Sequence, residues 1–179
     1  MCYNGLDALL RKIPEELTMI ALTLTNVKKF MSQLLRSEIF DNFWFIEGEI
    51  VTFNTFSING AIHKSFFDSD EETEEYSYWK EVKDYCYFLI RGKRTPLSFR
   101  LVFSLSRHNM ERTIQKSTPS IAPDSVQGLY LNIRFDGTRL TCVTGTSFKT
   151  FSMDRSLEHA WDDMARKFLL QKGIEFEEE

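Results

Sequence analysis

No apolar run in this sequence approaches the roughly 18 residues that a membrane-spanning helix requires. Its N-terminus shows no charged segment leading into an apolar stretch, so no secretory signal is read there. Cysteine is scarce. Cys2, Cys86 and Cys142 are odd in number, widely spaced and never paired as C-x-x-C, which speaks against a disulfide framework and against structural zinc. These absences lead to the expectation of a cytoplasmic protein with reduced thiols and no membrane partner.

Signatures of catalysis are missing as well. There is no G-x-S-x-G elbow. Gly92-Lys93 lacks the glycine that a phosphate-binding P-loop needs five positions earlier, where Tyr87 stands. The acids between Asp68 and Glu75 are spaced like calcium ligands, but the sixth and twelfth positions counted from Asp68 are Thr73 and Trp79 instead of Gly and Glu. His63, His108 and His159 stand far apart, each without a second ligand close in sequence and without an evident acid partner. No enzyme, metal or cofactor is expected.

What is present is enough for a core: 179 residues, 42% of them hydrophobic, can bury one without metals or disulfides. The expected organisation is a single α+β domain over residues 19–179, preceded by an N-terminal extension, residues 1–18, that packs loosely. The extension carries Leu6, Leu9, Leu10 and Ile13 on one helical side and is broken by Pro14. From Met19 onward, "IALTLT" reads as a strand, and Thr25 or Asn26 can cap a helix from Val27 to about Ser37. Its buried stripe is Val27, Phe30, Met31, Leu34 and Leu35. Three strand-like runs follow, "NFWFIEGE", "IVTFNTFSIN" and "AIHKSFF", with turns expected at Glu47-Gly48 and Asn59-Gly60.

An acidic loop then leads into a second helix, with Trp79, Val82, Cys86, Leu89 and Ile90 on one face. "LSFRLVFSLS" is a strand. Residues 107–127 read as a long polar connection with two prolines and one helical turn, a candidate contact loop. "GLYLNIRF" and "TRLTCVTG" flank Asp136-Gly137, a strong hairpin signal, and "TSFKTFSM" extends the second strand or pairs beyond a turn at Gly145. A last helix spans about Ser156 to Lys172, with Leu157, Ala160, Trp161, Met164 and Phe168 as its packing stripe and Gly173 as its stop. The fold class is α+β, two β-α-β-β-β-like units in one domain with an extra C-terminal helix.

Charge is segregated although the total is mildly acidic, with a formal net charge of -4. Acids concentrate at 68–75 and at the C-terminus, while the outer face of the first helix carries only Lys28, Lys29 and Arg36. The second helix adds Lys80 and ends on Arg91, Lys93 and Arg94. These seven residues are the candidate nucleic-acid-binding set, and DNA or another polyanion is the expected partner. Exposed cations near a helix C-terminus also serve solubility and complement the helix dipole, which is the ordinary reading of the same pattern. The alternative is a protein-interaction module in which Tyr87, Phe88, Leu169 and Leu170 cover a protein partner or a second copy.

The runs "NVKKFMSQLL", "FNTFSINGAIHKSFF", "GKRTPLSF", "LNIRFDGTRLTCVTGTS" and "LEHAWDDM" resemble a family of small bacterial proteins that is a domain of unknown function. That resemblance covers most of the chain and implies no activity. Separately, the order strand, helix, three strands, then helix and further strands resembles the repeated unit of DNA sliding clamps. In those proteins the helices carry Lys and Arg toward the duplex, so a clamp-like domain implies cationic helix faces turned to nucleic acid. Two units do not suffice for a ring, and no diagnostic clamp motif is present.

Overall fold

The computed structural model describes residues 19–178; the expected N-terminal extension lies outside the described residues. Its elements are β1 (Ala21–Leu24), α1 (Val27–Arg36), β2 (Phe43–Val51), β3 (Thr55–Asn59), α2 (Trp79–Ile90), β4 (Ser98–Leu105), α3 (Arg107–Ser117), β5 (Val126–Phe135), β6 (Leu140–Phe148), α4 (Ser156–Gln171) and β7 (Phe176–Glu178). The class is α+β with a C-terminal helix, as expected. All seven strands join one antiparallel sheet in the order β3-β2-β4-β5-β6-β1-β7.

Alternation along the strands gives the sheet two faces. One row of the core face reads Gly48, Leu101, Ile133, Cys142 and Leu22, and every member is buried. The helices pack on this face. Trp79 of α2 packs against Phe45 at a tilt and edge-on against Phe103, with ring centroids 5.4 and 5.0 Å away, and Phe168 of α4 meets Phe43 at 5.4 Å. Phe40, just past α1, touches Phe30, Phe103 and Phe168 and so joins α1, β4 and α4. The buried Trp79 indole N–H donates to the Leu34 carbonyl at 2.8 Å, tying α2 to α1.

Local signals explain several boundaries. Asn26 caps α1 by accepting from the Lys29 N–H, and the Asp136 carboxylate accepts from the N–H groups of Thr138 and Arg139 in the β5–β6 hairpin. Those two bonds hold the Asp136 carboxyl below its ordinary pKa. Gly137 there has φ +99, and Gly173 after α4 has φ +65, a conformation that favours glycine at a helix stop.

Elsewhere the structure corrects the sequence reading. β2 runs straight through Glu47-Gly48, because Gly48 lies beneath Phe45 and Leu101, where a Cβ would come within 2.9 Å of either; it serves packing and not a turn. The chain turns instead at Thr52–Asn54, where the Thr52 N–H donates to the Asn54 carbonyl. No third strand follows at 61–67: Ala61 forms an isolated bridge to Tyr76 and Lys64–Phe66 is a short 3-10 turn, with Phe66 87% exposed. The segment read as a long connection begins with the 11-residue helix α3, capped by Ser106 and anchored by the buried Met110, Thr113 and Ile114. Of the expected core residues, Trp79, Cys86, Leu157 and Trp161 are buried, whereas Met164 is 37% exposed because it edges a groove between α3 and α4.

Candidate functional site

β1 and β2 run in the same direction and α1 crosses the sheet between them, so the register fixes which helix ends coincide. Leu22 lies level with Gly48 through the row above, hence Leu24 lies level with Ile50. α1 starts just beyond Leu24. The segment after α2 returns to the sheet at Leu97, whose N–H donates to the Val51 carbonyl at 2.8 Å. Lys28 and Lys29 therefore stand at the same end of the molecule as Arg91, Lys93 and Arg94. Four strand spacings, roughly 19 Å at ~4.8 Å each, separate β1 from β2, the strands beside which the two groups stand. Arg36 and Lys80 belong to the opposite end, where the C-terminus of α1 meets the N-terminus of α2.

The surroundings of these cations differ. All seven are exposed. Lys29 pairs with Glu175 at 3.4 Å, a solvent-facing contact of small energetic weight. The Arg91 guanidinium lies 4.7 Å from the Phe88 ring centroid, and Lys80 lies 5.4 Å from that of Tyr78. Lys28, Arg36, Lys93 and Arg94 make no ion pair with a described residue. By contrast Lys83, on the flank of α2, is committed to structure, reaching Asp41 at 2.6 Å and the Ser37 carbonyl at 3.0 Å.

The apolar residues expected to meet a partner do not form one patch. Leu169 is fully buried and Tyr87 half-buried, while Phe88 and Leu170 remain exposed on different helices. Among the described residues no group of His, Cys, Asp and Glu can hold a metal, and all three histidines are exposed. Cys86 and Cys142 are free and buried, with burial pushing both thiols up to about 12, so neither is a ready nucleophile.

Two features escaped the sequence. A groove of about 450 Å³ runs between α3 and α4, floored by Phe43, Leu105 and Leu131. On the sheet face away from the helices, Arg100 pairs with Glu47 at 2.8 Å but keeps Nη1 buried without a hydrogen-bond partner. Nearby Tyr130 lies over Gly128, where a Cβ would meet its ring at 2.4 Å; burial first, then Tyr76 and Glu75, push its hydroxyl up to about 12. The signal available for the groove was the Ser106 cap with Met110 and Ile114 four apart; pairing of sheet rows carries no such local mark.

The sequence model of a family described as a family of unknown function (DUF5721) matches residues 33–177. The chain belongs to this family. The DUF5721 match runs from within α1 into β7, taking in Arg36, Lys80, Arg91, Lys93, Arg94 and the groove, and leaving Lys28 and Lys29 before it. No curated protein and no solved structure matches the chain. The likeness to sliding clamps finds no support here, and the observed order of strand, helix, two strands, helix, strand, helix and two strands departs from the β-α-β-β-β unit on which it rested.

Proposed function

We propose that this member of DUF5721 is a non-enzymatic binding protein that meets nucleic-acid phosphates through Lys28, Arg91, Lys93 and Arg94. One observation carries the reading: two cationic stretches from separate helices open at the same end of the helical layer. Arg91 adds a planar donor fork suited to phosphate oxygens. Contacts of this kind position a protein without reading bases, so little sequence preference is expected. The same reading places the protein in the cytoplasm, supported by free, buried Cys86 and Cys142; among the described residues no helix is long and apolar enough to cross a membrane.

The test is binding of duplex DNA across a salt series. Each neutralised phosphate contributes about -0.9 to the slope of log K against log salt. Replacing Arg91, Lys93 and Arg94 together by Ala should flatten that slope by up to about 2.7. Failure of the unmodified protein to bind at about 50 mM salt, where such contacts are strongest, sinks the reading.

A further inference from the structure

We infer that the groove between α3 and α4 is a binding site for a small amphipathic anion, an alkyl chain ending in a carboxylate. The groove occupies about 450 Å³, within the range of roughly 300–1,000 Å³ typical of small-ligand sites. Its interior is apolar. Phe43 and Leu105, paired across β2 and β4, and Leu131 of β5 make the floor, and Trp161, Ala165 and Phe168 make the α4 wall. The Trp161 N–H is already spent on the Tyr130 carbonyl at 2.9 Å, so the indole offers the groove only carbon. Ser117 is likewise turned inward on its own helix, its hydroxyl donating to the Thr113 carbonyl at 2.8 Å.

The rim is cationic. Asn109, Arg112, Thr113 and Lys116 recur at i, i+3, i+4 and i+7 and so share one stripe of α3, which lines the groove. Arg112 and Lys116 form no ion pair with a described residue, and Glu111, the one acid of α3, is held by Arg107 at 3.2 Å. Among the described residues no carboxylate lines the groove. An uncharged alkane would leave both cations unused, and a cationic amphiphile would be repelled; a carboxylate head on an apolar tail satisfies both layers at once. The groove lies at the sheet end of the Phe43–Leu105 pair, opposite the end where Lys28 and Arg94 stand, so the inference stands independently of the nucleic-acid reading.

Calorimetric titration of the full chain with octanoate and decanoate, below micelle-forming concentrations, tests this. Decanoate should bind, with about a fourfold gain in affinity per added methylene. Replacing Arg112 and Lys116 together by Ala, both exposed, should weaken decanoate about five- to tenfold while leaving decanol unchanged. Met164→Glu, at the exposed edge, should abolish decanoate binding by placing a like charge in the mouth. The inference is overturned if decanoate does not bind. It falls equally if decyltrimethylammonium binds as tightly, or if the Arg112/Lys116 variant and Met164→Glu bind decanoate like the unmodified protein. Binding of an acidic amphipathic peptide in place of decanoate would make the groove a helix-docking surface and overturn the inference as well.

Discussion

The Thr144 hydroxyl donates to the Asp162 carboxylate and accepts from the Ile20 N–H, at 3.2 Å, so one side chain of β6 joins α4 to the entry of β1. Both side chains are buried. A buried carboxylate with one good donor and a half-buried N–H with one good acceptor each lose their partner together if that hydroxyl is removed. Thr144→Val keeps the shape and deletes the hydroxyl, and should cost about 1–3 kcal/mol. Urea unfolding checks this; an unchanged midpoint would mean that solvent already serves these groups.

The same carboxyl sets a pH dependence. Burial raises the Asp162 pKa above the ordinary aspartate value, and the Thr144 bond, Arg166 and His159 offset this only in part. A raised folded-state pKa means the folded protein holds the proton where the unfolded chain has lost it. Stability from this group therefore falls as pH rises from the ordinary aspartate value near 3.9 through the folded value. Asp162→Asn keeps an acceptor for Thr144 and cannot ionise. Its melting temperature relative to the unmodified protein should climb as pH rises from the ordinary aspartate value through the raised folded one; parallel profiles would refute the shift.

Two glycines give an internally controlled prediction. At Gly60 a Cβ would lie 1.8 Å from the Phe45 carbonyl oxygen, a backbone atom that cannot swing aside, in the crossing where Gly60 also bonds Ile46 and Ser77. Gly92, after α2, has nothing closer than 4.0 Å and no positive φ. Gly60→Ala should cost at least about 1–3 kcal/mol, and Gly92→Ala should stay within about 0.5 kcal/mol. Equal denaturation midpoints for the two variants would contradict the close approach of β3 to β2.

These contacts also show what was legible in the sequence. α1, α2 and α4 announce themselves because each buries a stripe of large apolar residues, and the Asp136-Gly137 hairpin follows from local turn chemistry that no tertiary contact has to assist. α3 stays hidden because only Met110 and Ile114 among its residues are large and apolar; its helicity depends on the Ser106 cap and on packing against the sheet. Gly48 misleads for the opposite reason: in sequence it reads as a turn, and only the neighbouring Phe45 and Leu101 show why glycine is there. The cationic set was legible residue by residue, but its division between two ends was not, since that division comes from the direction in which α1 and α2 cross the sheet.

That division sharpens the nucleic-acid prediction, because net charge alone and a localised contact give different outcomes. Arg36→Ala with Lys80→Ala removes two exposed cations from the end where α1 and α2 meet. If binding depended only on total charge, this pair would flatten the salt slope nearly as much as any two cations elsewhere. With the contact at the other end, the pair should leave the slope unchanged, beyond weak effects screened over a Debye length of ~10 Å at 0.1 M salt. Arg91→Ala, Lys93→Ala and Arg94→Ala together should flatten it. Surface changes of this kind alter stability by only about 0.5 kcal/mol, so circular dichroism melts of both variants should overlay the unmodified protein. Fluorescence anisotropy with a labelled duplex across a salt series separates the cases. Equal slopes for the two variants would dissolve the localised site into general electrostatic attraction.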